Sequence, residues 1–128
     1  MVDGFCETAV TQRRGARWSC ADAYLKPVLH RSNLTLLTNS TVRRVIFEGT
    51  RVVGVEFDDA GGQRQTVRAA REVVLCAGAV GTPQILQLSG IGPGALLQGL
   101  GIPVQRELPG VGENLQDHLQ IRAVFAVE

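Results

Sequence analysis

Apolar and polar positions along the chain change period several times, and each change marks an element. Leu34-Thr35-Leu36-Leu37-Thr38 is a compact run bounded by Ser32-Asn33 and Asn39-Ser40, which predicts a strand. Val42 to Glu48 and Arg51 to Phe57 flank Gly49-Thr50. In the second run Val53, Val55 and Phe57 alternate with Val52, Gly54 and Glu56, the period of a half-buried strand, so a hairpin is expected. Asp58-Asp59-Ala60-Gly61-Gly62 predicts a turn, and Gln63 to Ala69 a weaker third strand. Val73 to Cys76 is unbroken and apolar, as in a strand buried on both faces of a parallel sheet. Together these predict a strand, an antiparallel meander and a returning parallel strand, with the meander replacing the usual crossover helix.

Helical signals lie on either side. Ser19-Cys20-Ala21-Asp22 places a hydroxyl three residues before a carboxylate, a capping-box variant that predicts a short helix, which Pro27 disrupts. Small residues Ala77, Gly78 and Ala79 follow the buried run, at the carboxyl end where open α/β sheets receive ligands. Thr82-Pro83 predicts a helix start, Ile85, Leu86 and Leu88 its apolar face, and Gly90 its left-handed end. A second short helix is expected from Gly92-Pro93, closed by Gly99 or Gly101. Ile102 to Leu108 reads as extended, Pro109 to Gly112 as a turn, and Leu119 to Val127 as another strand; residues 3–18 read as loop or edge strand.

Composition narrows the partners. The 128 residues are 45% hydrophobic with a formal charge of +1, so the electrostatic footprint of a nucleic-acid binder is missing. Up to Arg44 there are seven basic and three acidic residues, with Arg13, Arg14 and Arg17 the densest cluster, read as a solvated loop. Cysteines at 6, 20 and 76 have neither the count nor the spacing of a disulfide framework or zinc site. No apolar run approaches the ~20 residues of a membrane span. Met1 to Gly4 lacks a signal-peptide pattern, so a cytoplasmic location is expected.

Candidate chemistry is sparse. The glycine pairs at 90/92, 99/101 and 110/112 do not form Gly-x-Gly-x-x-Gly after a strand. Ser89 lacks the flanking glycines of a nucleophile elbow. Asp117-His118 is read as a loop-holding pair, and His30 as a helix-end residue.

Gly78 to Gly92, fifteen residues long, resembles position by position the second signature of the glucose-methanol-choline (GMC) family of flavoprotein oxidoreductases. Gly15 to Ser19, Ala23 to Pro27, Arg31 to Thr35 and Leu108 to His118 are similar to the same group, most of all to choline dehydrogenases. The resemblance implies an α/β (α+β) chain holding part of an FAD-binding dinucleotide-type fold over residues 1–108, with the meander at 41–69 and the signature at 71–92. Residues 109–128 would begin a substrate-binding domain. It further implies FAD as cofactor, a small-molecule alcohol as substrate in the full-length protein, and hydride transfer to the flavin. Val42 would contact the adenine through its backbone, and Ala77 and Gly78 would line the nucleotide part of the site. The family's pyrophosphate motif and catalytic histidine have no counterpart here, so no catalytic or metal residue is assigned and the chain alone is expected to be inactive. The alternative is a non-catalytic fragment that binds a nucleotide or a protein.

Overall fold

The computed structural model describes residues 10–121, in two compact units that divide between Thr38 and Asn39. In the first, β1 (Gln12–Arg13) and β2 (Ala16–Arg17) form a minimal hairpin, paired Gln12 to Arg17 and Arg13 to Ala16. The Arg13 guanidinium lies over the Trp18 ring, 5.1 Å from its centroid. Next comes the capping box. The Ser19 amide donates to Asp22 Oδ2 at 3.1 Å, and the Asp22 amide donates back to Ser19 Oγ at 3.3 Å. Lys26 Nζ closes on Asp22 Oδ1 at 2.5 Å from one turn later. A single wide helical turn, Ala21–Leu25, follows, and Pro27 sits in a tighter turn, Lys26–Val28, that ends it.

In the second unit β3 (Thr41–Glu48), β4 (Arg51–Asp58) and β5 (Arg64–Arg68) form the expected antiparallel meander in that order. Val45 faces Val55 and Val42 faces Phe57, while the register slips between Val42 and Arg44 and again between Ile46 and Phe47. The second turn is fixed by Asp59, whose Oδ1 accepts the amides of Gly61 and Gln63, each at 2.9 Å. Val45, Val53 and Phe57 are buried on the meander; Ile85 and Leu97 are buried on the two helices that follow it.

The helix α1 (Gly78–Leu88) starts four residues before the predicted Thr82-Pro83. Thr82 still satisfies a free donor, but backwards: its hydroxyl accepts the Ala77 amide at 3.1 Å, and Pro83 lies within the helix. The small side chains of residues 77–81 let a first turn form ahead of the proline. Helix α1 packs on β3. At its end Ser89, 6% exposed, donates its hydroxyl to the Ile85 carbonyl at 2.6 Å and accepts the Val45 amide at 2.9 Å. Gly90 then turns the chain with φ +83°. A Cβ there would lie 2.3 Å from the Pro103 carbonyl oxygen, so both conformation and space demand glycine.

Beyond it, β6 (Ile91–Gly92), α2 (Gly94–Gly99) and β7 (Arg106–Glu107) make a miniature strand–helix–strand unit with parallel strands. Leu97, 0% exposed, is its centre, and Ile102 donates its amide to the Leu97 carbonyl at 2.9 Å.

Two sequence expectations need correction. Leu34–Thr38 and Val73–Cys76 join no sheet, and Val74 is 71% exposed. The apolar run Val73–Cys76 has the character of a strand buried on both faces, but a ladder needs neighbours, and no described strand pairs with either run. The expected strand at Leu119–Val127 runs past Ile121 and out of the described residues, and Leu119 to Ile121 join no sheet; residues 3–9 of the opening segment also lie outside them.

Two outcomes are expected. Ser89→Ala leaves the buried Val45 amide without an acceptor and should destabilise the second unit by about 1–3 kcal/mol in urea unfolding. Lys26, then the Ser19 hydroxyl and amide, hold Asp22 down at about 2, from an ordinary 3.8. Because the folded value is the lower one, its support of the 19–26 turn should be complete above pH 3.8 and fade as the pH falls towards 2. An NMR titration of the Asp22 carboxyl with a midpoint near 3.8 would contradict this.

Candidate functional site

The three residues assigned to the cofactor lie on two adjoining elements. Val42 is half-buried near the start of β3, at the first register slip. Ala77 and Gly78 are exposed at the entry to α1, the helix that packs on β3. Gly78 turns in with φ +80°, and beyond its own chain neighbours and helix backbone nothing stands within 4 Å of where its Cβ would be, so its backbone faces open space. Val42, Ala77 and Gly78 nevertheless do not share any of the three clefts described in the second unit.

The charges next to Val42 are already engaged. Arg43 pairs with Asp58 at 2.5 Å and Arg44 with Glu56 at 3.0 Å, while Arg64 reaches both carboxylates, at 2.9 Å for Glu56 and 2.7 Å for Asp58. The Arg44 hydrogen bond lowers the Glu56 pKa, and Arg43 followed by Arg64 lowers that of Asp58. A neutral ring system suits this end of β3 better than a phosphate, which would have to displace a carboxylate to reach either arginine.

One cleft beside α1 was not found from sequence. About 390 Å³ in volume, it lies between α1, through Ala79 and Pro83, and the loop Gly112 to Gln116. Asn114 holds a left-handed backbone, φ +58°, and its Oδ1 accepts the Gln116 side-chain amide at 3.1 Å. Its walls carry one carboxylate, Glu113, and no cation, so they are unsuited to a pyrophosphate. The signal available in the sequence was the spacing of Ala79, Pro83 and Gln87, four apart on one helix face. A more apolar cavity of about 430 Å³, with Phe47, Val52, Ile91 and Leu108 among its walls, lies where the β3–β4 hairpin meets β6 and β7.

The other candidates are structural or peripheral. Ser89 has both hydrogen-bonding directions occupied by backbone and sits 44 residues from its strand partner, a joint rather than a nucleophile. Asp117 accepts the amide of His118 at 2.8 Å, the loop-holding role expected of the pair. His30 and His118 are both exposed. Among the described residues no three His, Cys, Asp or Glu are grouped to hold a metal ion, and Cys20 and Cys76 are free thiols. No helix among them is long and apolar enough to cross a membrane.

A family model described as GMC oxidoreductase matches residues 2–120. The chain belongs to the GMC oxidoreductase family. The resemblance drawn from Gly78 to Gly92 is therefore borne out, as is the mixed helix-and-strand fold. The mitochondrial choline dehydrogenase of Homo sapiens is 52% identical over 119 residues, covering 93% of this chain and 20% of that protein. Among solved structures, an FAD-dependent oxidoreductase from Chaetomium thermophilum aligns with 47% identity and a TM-score of 0.68, over 71% of this chain and 16% of that one. Pyridoxine 4-oxidase from Mesorbium loti aligns with 44% identity and a TM-score of 0.77, over 84% and 21%. This GMC chain spans about a quarter of the length of a Mycobacterium bovis GMC-type oxidoreductase, 24%, and a fifth of the human choline dehydrogenase.

The charge network at Val42 yields a direct check. Arg44→Gln should raise the Glu56 titration midpoint towards 4.5, its ordinary value, and move Asp58 less, since Arg43 and Arg64 still hold it. Both folded values are depressed, so the stabilising pairing is complete above the ordinary carboxylate pKa and weakens as pH falls. Carboxyl-detected NMR of the two proteins reads this; equal shifts at both groups would contradict it.

Proposed function

We propose that this GMC chain supplies the surface that seats the adenosine half of FAD in an oxidoreductase acting on a small alcohol. The observation that carries it is the union of the family signature with β3: Gly78 to Gly92 folds as α1, the Ser89 joint and β6, and Ser89 fixes that unit to the strand bearing Val42. Val42 would meet the adenine through backbone groups next to the bulge, while Ala77 and Gly78 would let the ring approach without side-chain bulk. The residues present fit such a group: Ala77 and Gly78 are small and exposed, Val42 is half-buried, and none of the three carries a charge. When bound, the flavin supplies hydride acceptance; the chain's part is to hold and orient it.

Two further features belong to this reading. Residues from Pro109 onward would open the substrate-binding part, with the polar loop 112–116 facing the ligand. The substrate class is a CH–OH donor, by likeness to a choline dehydrogenase and a pyridoxine oxidase. A cytoplasmic location is part of this proposal only, and the human relative is mitochondrial. A second reading, a protein-binding piece without cofactor, draws on Val74 and Val80, which are 71% and 72% exposed and offer an apolar face to a partner.

The test is a titration of the isotopically labelled 128-residue chain with FAD, AMP and riboflavin. FAD and AMP should both shift the amides of Val42, Ala77 and Gly78, weakly, because no Gly-x-Gly-x-x-Gly loop among these residues grips the pyrophosphate. Riboflavin should not. Ala77→Leu should weaken AMP binding by about tenfold, the effect of a clash near 1.4 kcal/mol. Shifts from riboflavin but not AMP would overturn the assignment, and flavin purifying one-to-one with alcohol-dependent bleaching would show that the chain needs no other segment for chemistry.

A further inference from the structure

Gln87 stands where α1 meets the loop that walls the 390 Å³ cleft, and its surroundings are built around it. It occupies the same helix face as Ala79 and Pro83, one turn beyond the cleft. Its side-chain amide donates to the Val111 carbonyl at 2.9 Å, across 24 residues of sequence. Two glycines make room for it. A Cβ on Gly112 would fall 2.6 Å from Gln87 Nε2, and one on Gly92 would fall 3.1 Å from Gln87 Cγ. Gly112 has φ +89°, so the chain turns immediately after the contact and runs on as the opposite wall.

We propose that Gln87 is a positioning residue: through the Val111 carbonyl it sets how far the loop 112–116 stands from α1, and so the width of the cleft. The slot between Gly92 and Gly112 fixes the side chain laterally, and the amide fixes its reach. A shorter or donor-less side chain frees the loop at one end while Ala79 and Pro83 stay in place on the helix. The cleft's use by the cofactor or substrate rests on the FAD reading above; Gln87's hold on its width does not.

Hydrogen exchange of the whole chain tests this, read at the Val111 and Glu113 amides, which are bonded to the Leu108 and Gly110 carbonyls, and at Val45, bonded to Ser89. Gln87→Leu should speed exchange at Val111 and Glu113 by about three- to tenfold, the effect of losing one hydrogen bond. Val45 exchange should stay unchanged. Gln87→Asn, which keeps the amide donor but is one methylene short of Val111, should speed exchange as Gln87→Leu does. Unchanged loop exchange in Gln87→Leu would overturn the proposal; so would faster exchange at Val45 and the loop together with a lowered urea midpoint, which marks a general structural role. If the FAD titration fails while the loop responds as stated, only the cofactor reading falls.

Discussion

One hydroxyl decides how the second unit holds together. The Val45 amide points away from β4, on the outer edge of the meander, where a buried donor without an acceptor would oppose folding. Ser89 answers it from the end of α1 while giving its own proton to Ile85. Helix and sheet are thus joined by directional bonds as well as by apolar contact, which matters in a unit with so few buried apolar side chains. The next residue, Gly90, has to reverse the chain at once against Pro103, and the parallel pair β6–β7 is built on that reversal, since Gln105 and Arg106 both donate to the Gly90 carbonyl.

Legibility in the sequence followed the range of the forces involved. The meander could be read because its information is local: alternation at Val53, Val55 and Phe57, glycine at one turn and an Asp59-centred loop at the other. The Ser19–Asp22 box was legible for the same reason, three residues being enough to define it. The start of α1 was misplaced because Thr82-Pro83 is a good start signal, yet the small residues before it accept helical geometry too, and the hydroxyl reaches back rather than forward. Leu34–Thr38 and Val73–Cys76 carry the composition of buried strands, but composition cannot supply the neighbour that a ladder requires.

The candidate site divides in the same way. Val42, Ala77 and Gly78 were assigned from the likeness to GMC proteins, and no spacing rule would have singled out a valine in a strand. The cleft beside α1 escaped notice because its second wall arrives through a contact between Gln87 and Val111, and nothing in either segment alone announces the other. Ser89, by contrast, could be set aside as a nucleophile from its neighbours, although its use as a joint required the position of Val45.

A three-stranded sheet has two open sides, and this one closes each differently. On the β3 side the helix end stands in the way, with Ser89 occupying a donor that another strand would need. On the β5 side every residue from Arg64 to Arg68 is exposed, and arginines stand at both ends, each tied to a carboxylate within the sheet. An approaching strand would have to strip those charges of water and partners before forming its first backbone bond. The meander is thereby guarded against growing, sheet onto sheet, into an aggregate, a safeguard that a piece with so much exposed apolar surface elsewhere has particular need of.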